Sequence, residues 1–78
     1  MLVLQTLVGR AAHVTVAIPE NGVGEISLRA NGERTAQLAR SVDGAPIPFG
    51  REVLIRAVRD VELFVEVVKI VEPEGVYR

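Results

Sequence analysis

Residues 19–33 read Pro-Glu-Asn-Gly-Val-Gly-Glu-Ile-Ser-Leu-Arg-Ala-Asn-Gly-Glu. Two Asn-Gly dipeptides, at 21–22 and 31–32, bracket an alternating run in which Ile26, Leu28 and Ala30 oppose Glu25, Ser27 and Arg29. Asn-Gly is the strongest short-range hairpin signal, because both residues tolerate the positive φ that lets a two-residue turn follow the twist of its strands. The segment therefore predicts a strand from about residue 23 to 30 with a hairpin turn at each end. Gly24 inside it predicts a bulge or a corner bend.

Upstream, residues 7–18 alternate as well, with Val14, Val16 and Ile18 on one face and His13, Thr15 and Ala17 on the other. This is a long first strand, and Pro19 ends it because proline cannot donate to a central ladder. Downstream, residues 33–41 form a third strand. Helix competes there, since Thr35 to Arg40 contains good helix formers. Strand is favoured, because a helix would leave the second strand without its hairpin partner. Residues 41–50 carry two Gly and two Pro and read as an irregular crossing, with Ile47 and Phe49 expected to plug one barrel end. A fourth strand over residues 52–58 turns Val53, Ile55 and Ala57 one way and Leu54, Arg56 and Val58 the other. Arg59-Asp60 is the next turn. The fifth strand, from 62 to about 70, turns Leu63, Val65 and Val67 inward and Glu62, Phe64 and Glu66 outward. Glu72-Pro73-Glu74-Gly75 stops it and residues 76–78 read as a frayed tail. Five strands without a long helix predict an all-β fold, a small five-stranded Greek-key barrel of the OB-fold type, with an SH3-like barrel as the nearest alternative.

The whole chain, residues 1–78, reads as a single domain with its core at about 7–70. Seventy-eight residues leave no room for a second. Nine Lys and Arg against ten Asp and Glu are scattered without runs, so polyanion binding is not favoured. The absence of cysteine removes disulfides, thiolate chemistry and Cys-based zinc sites. Hydrophobic residues make up 49% but aromatics only 4%, so Val, Leu, Ile and Ala must fill the core. No stretch reaches the ~20 apolar residues of a membrane helix, and the chain as given is expected to be soluble.

Catalytic groups are sparse. His13 and Thr15 share a strand face but lack the third group that would orient an activated nucleophile. Glu62 and Glu66 share a face about 13 Å apart at ordinary strand rise, too far for paired-acid chemistry. Gly22-Val23-Gly24 lacks the helix start, Lys and Ser or Thr of a phosphate loop. No enzyme activity, cofactor or metal is expected. Arg29, Arg34, Arg40 and Arg56 could line one barrel side in the manner of an oligonucleotide-binding face. Such faces also need aromatic platforms, and only Phe49, Phe64 and Tyr77 are available. Outward Phe64, with Leu54 and Val58, would make an exposed apolar patch, unless the strand assignment slips and these side chains cover a barrel end. Phe64, Arg56, Arg29 and Arg40 are therefore the candidate partner surface. Gly22, Gly24, Gly32 and Gly50 are the structural turn positions.

The order of landmarks resembles the C-terminal domain of NfeD-like membrane proteins. The matching residues are Leu7-Val8-Gly9-Arg10, Ala12-x-Val14-x-Val16-x-Ile18, Gly24-Glu25-Ile26, Gly32, Ala39-x-Ser41, Ile47-x-x-Gly50-x-x-Val53-x-Ile55 and Leu63-x-Val65-Glu66. The resemblance runs from Leu7 to Val68. It implies a five-stranded OB-fold carried after membrane helices in a longer protein, and a non-catalytic role. It also implies partners among stomatin, prohibitin and flotillin-type membrane scaffold proteins, or further copies of the domain as a homo-oligomer. The implied location is at a membrane, on the cytoplasmic side, with the present chain an excised domain or a stand-alone variant. The sequence departs from the family pattern at Ala12, where many members have glycine, and at Gln37, where an aromatic is common. Single-stranded nucleic-acid binding is the alternative function.

Overall fold

The computed structural model describes residues 3–68. Its five strands are β1 (Ala11–Val16), β2 (Gly24–Ala30), β3 (Glu33–Ser41), β4 (Glu52–Arg59) and β5 (Glu62–Val67), preceded by a 3-10 turn at Leu4–Leu7. They close into a barrel in the order β1-β2-β3-β5-β4. This is the OB-fold, built from antiparallel pairs with one parallel contact, between β3 and β5. The expected stop at 72–75, the tail at 76–78 and the last residues of the fifth strand beyond 68 lie outside the described residues.

The second Asn-Gly behaves as its chemistry requires. Asn31 and Gly32 both adopt positive φ, 55° and 79°, and β2 pairs with β3 without interruption from Ala30–Glu33 to Gly24–Ala39. Residues 33–41 are strand and not helix, for the pairing partner is already in place. The first Asn-Gly does not make a two-residue hairpin. Asn21 has φ 53° but Gly22 does not share the positive φ, and seven residues separate β1 from β2. Tertiary bonds capture this connection instead. Ile18 and Ile47 exchange two backbone hydrogen bonds of 2.8 Å, the Asn21 N–H donates to the Gly44 carbonyl at 2.8 Å, and the Gly22 N–H donates to that of Pro19 at 2.9 Å.

Two bulges redirect side chains. The register of β1 against β2 shifts between Val14 and Val16, so Val14 is buried while Val16, expected on the same face, is 53% exposed. In β4 the register against β5 shifts between Ile55 and Ala57. Ala57 is thereby exposed, and Val58, expected outward, packs against the core. At Gly24 an added Cβ would collide with the Val16 carbonyl and lie 2.7 Å from that of Ala17, so the barrel corner closes only around glycine.

The long first strand is shorter than expected. Leu7 belongs to the 3-10 turn and is buried in the core, and Gly9, at φ 93°, donates to the Ile55 carbonyl at 2.7 Å before β1 begins. Ile47, expected at a barrel end, is buried in the core and bridged to Ile18. Phe49, expected there with it, is instead 73% exposed. The Gly50 N–H bonds the Val14 carbonyl at 2.8 Å and fixes this loop against β1, leaving Phe49 outside. Val14, Ile26, Val53, Ile55, Leu63 and Val65 fill the interior at 1% exposure or less. Each contributes roughly 1.5–3 kcal/mol of burial. Ala12 is buried with them, and Gln37 is half-buried, its amide donating to the Thr35 hydroxyl at 3.1 Å.

Candidate functional site

Barrel closure settles which backbone is available. Strand edges between β1 and β4, or between β3 and β5, would have been natural places for a partner strand. Both are paired, β1 to β4 through Ala11–Leu54, Ala12–Val53 and His13–Glu52, and β3 to β5 through Ala39–Leu63, Arg40–Phe64 and Ser41–Val65. The β3–β5 contact stops there, and among the described residues no strand lies against residues 33–38 on the edge away from β2.

Of the four expected surface residues, Arg40, Phe64 and Arg56 lie on the outer face of β3, β5 and β4. Arg29 lies apart, on the β2–β3 hairpin. Arg40 Nε donates to Glu62 Oε1 at 2.7 Å, bridging β3 and β5, and Arg56 Nε lies 3.2 Å from Glu66 Oε1. Glu62 and Glu66 thus serve two separate arginines. Phe64 is half-buried, with the Arg59 guanidinium 5.9 Å from its ring centroid. The apolar patch expected from Phe64, Leu54 and Val58 does not form, because the β4 bulge sends Val58 to the core.

A shallow depression of about 360 Å³ opens beside Phe64, where Arg40 and Val42 face Asn21 and Gly44. Its rim is ordered by Asp43, whose Oδ1 accepts from the Ser41 hydroxyl at 2.6 Å and from the Ala45 N–H at 3.0 Å. The four arginines expected on one side divide. Arg40 and Arg56 are ion-paired, while Arg34 donates to the Ser27 hydroxyl at 3.1 Å and Arg29 to the Gly32 carbonyl at 3.3 Å. Arg10, not foreseen as part of any site, donates to the Arg29 carbonyl at 2.6 Å. Read as part of a first strand over residues 7–18, it carried no signal of that contact. Exposed Phe49 was missed too, although the flanking Pro48 and Gly50 signal a residue held out on a rigid loop.

His13 is exposed, and the Thr15 hydroxyl donates to Glu25 Oε1 at 3.0 Å instead of to it. Among the described residues no three His, Cys, Asp or Glu side chains gather to hold a metal ion, and no helix is long and apolar enough to cross a membrane.

The family model for the NfeD C-terminal domain matches residues 11–76. The chain belongs to the NfeD C-terminal domain family. The soluble domain of the NfeD protein YuaF from Bacillus subtilis superimposes with a TM-score of 0.75 at 28% identity, over 87% of this chain and 81% of that one. A second barrel of the same fold, the C-terminal domain of stomatin operon partner protein 1510-C from Pyrococcus horikoshii, gives a TM-score of 0.65 at 20% identity, over 83% of this chain and 92% of that one. No curated protein matches this NfeD domain. Two of the family landmarks have a clear role in this NfeD barrel. Gly24 allows the corner to close, and Gly32 supplies the second positive φ of the hairpin.

Proposed function

We propose that this NfeD domain is a non-catalytic docking module, held at a membrane by helices of a longer parent protein and placed on its cytoplasmic side. It binds a scaffold protein of the stomatin, prohibitin or flotillin type, or further copies of itself. Family membership over residues 11–76 carries the reading. The description of the Pyrococcus horikoshii neighbour as a stomatin operon partner supports the choice of scaffold. The barrel contributes a rigid surface with two kinds of contact. Arg40, Phe64 and Arg56 lie on one face, and the β2–β3 hairpin carries Arg29. Charges partly committed to Glu62 and Glu66 give orientation more than affinity at such a surface.

The parent protein, tagged and extracted from native membranes, should copurify with a stomatin-type scaffold protein. Charge reversal at Arg40 together with Phe64→Ala should reduce the yield severalfold. Recovery of no scaffold-family protein would refute the reading.

A further inference from the structure

Six arginines of this barrel are treated in two ways. Arg40 and Arg56 are matched to glutamates, and Arg59 lies over Phe64. Arg10, Arg29 and Arg34 are instead tethered to neutral acceptors: the Arg29 carbonyl, the Gly32 carbonyl and the Ser27 hydroxyl. Neither of the two ion pairs formed among the described residues includes them. The register sets Arg29 directly opposite Arg34, a like-charge pair that costs stability in a sheet. Ser27, which anchors Arg34, is only 7% exposed, so that tether rests on a fixed part of the barrel. A guanidinium has five N–H donors, and one is used in each tether. The remainder form preoriented forks that suit carboxylate oxygens.

A second observation lies beside them. The edge of β3 from residue 33 to 38, next to Arg34, pairs with no strand among the described residues. Such an edge presents backbone N–H and C=O groups to an extended chain. Among the described residues the hairpin has no aromatic platform for stacked bases, since Phe64 is on β5 and Phe49 precedes β4.

We propose that the β2–β3 hairpin docks an extended acidic segment of a partner protein, which adds as a strand along residues 33–38 and places carboxylates on Arg34 and Arg29, with Arg10 steadying the pair. The proposal deepens the docking reading above and rests on it for the partner being a protein.

The probe is a fluorescein-labelled octapeptide of alternating glutamate and valine, with a glutamine-for-glutamate counterpart, titrated by fluorescence anisotropy. The acidic peptide should bind at least about tenfold more tightly than the neutral one, and more weakly as salt rises. The R29Q/R34Q double variant should lose about tenfold, whereas R51Q/R59Q, with the same change in net charge, should stay within about twofold. Amides of residues 33–38 should gain hydrogen-exchange protection in the complex. Both pairs of arginines are exposed, and unchanged circular dichroism will show that each variant remains folded.

Equal losses in the two double variants, or no preference for glutamate, would overturn the proposal. Unchanged exchange at 33–38 would overturn strand addition. Tighter, R29Q/R34Q-sensitive binding of a single-stranded oligonucleotide or of phosphatidylserine vesicles would reassign the site to nucleic acid or lipid. Scaffold capture that survives R29Q/R34Q would refute the hairpin site while leaving the docking module intact, and loss of all capture by the unmodified protein would refute the docking module itself.

Discussion

Two glycines show how differently single residues can be required. Gly24 lies where an added methyl group would strike carbonyl oxygens of residues 16 and 17, so its cost is steric. Gly24→Ala should destabilise the barrel by about 1–3 kcal/mol in urea denaturation, because the obstacle is backbone and cannot rotate away. Gly32 has open space around its Cα but φ 79°, so its cost is conformational. Gly32→Ala should lose about 1–2 kcal/mol, and Gly32→Asn less, since asparagine tolerates the left-handed region. If Gly32→Ala proves neutral, the hairpin has another turn geometry in solution.

Elements bend where bulges and loop pairings act together. The Ile18–Ile47 bridge and the bonds of Gly50 and Arg51 to Val14 hold the loop before β4, with Ile47 buried and the neighbouring Phe49 outside. Ile47→Ala should therefore cost about 2–5 kcal/mol, as a core truncation does. Phe49→Ala should stay within about 0.5 kcal/mol, despite removing the larger side chain. The two denaturation midpoints measured side by side check the assignment, and a large loss at Phe49 would place that ring in the core. Between elements, the Arg40–Glu62 pair joins β3 to β5 with side chains 37% and 27% exposed. Glu62→Gln should cost at most about 1 kcal/mol at low salt and less near 1 M, where screening removes the interaction.

At the scale of the molecule, closure through β1–β4 and β3–β5 makes most pairings long-range, and it divides the barrel into a protected body and an overhanging hairpin. Amides of β4 and β5 near Ile55, Leu63 and Val65 should exchange only by global unfolding, while those at residues 30–36 should exchange orders of magnitude faster by local opening. Native-state hydrogen exchange followed by NMR reads both. Uniform protection along β3 would show that its outer edge is already covered in the isolated protein, and would leave no room for an added strand.

Local chemistry determined much of this architecture. The positive φ tolerated by Asn31 and Gly32 specified the β2–β3 hairpin. The alternation around Ile26, Leu28, Leu63 and Val65 specified which faces turn inward, since a strand presents successive side chains to opposite sides. Glycine and hydrophobe landmarks in order were enough to indicate the family. Tertiary structure alone decided the rest. A bulge has no mark in hydrophobic periodicity, so Val16 and Val58 exchanged their expected faces only when neighbouring strands set the register. Asn21-Gly22 carried the same local preference as Asn31-Gly32, but bonds to residues 44 and 47, more than twenty positions away, prevented a hairpin there. The arginines were equivalent as letters, and pairing across strands separated Arg40 and Arg56, which meet glutamates, from Arg10, Arg29 and Arg34, which among the described residues meet neutral acceptors. Turn preference and alternation act within a few residues, whereas register, bulges and charge partners depend on which distant strands the closed barrel brings side by side.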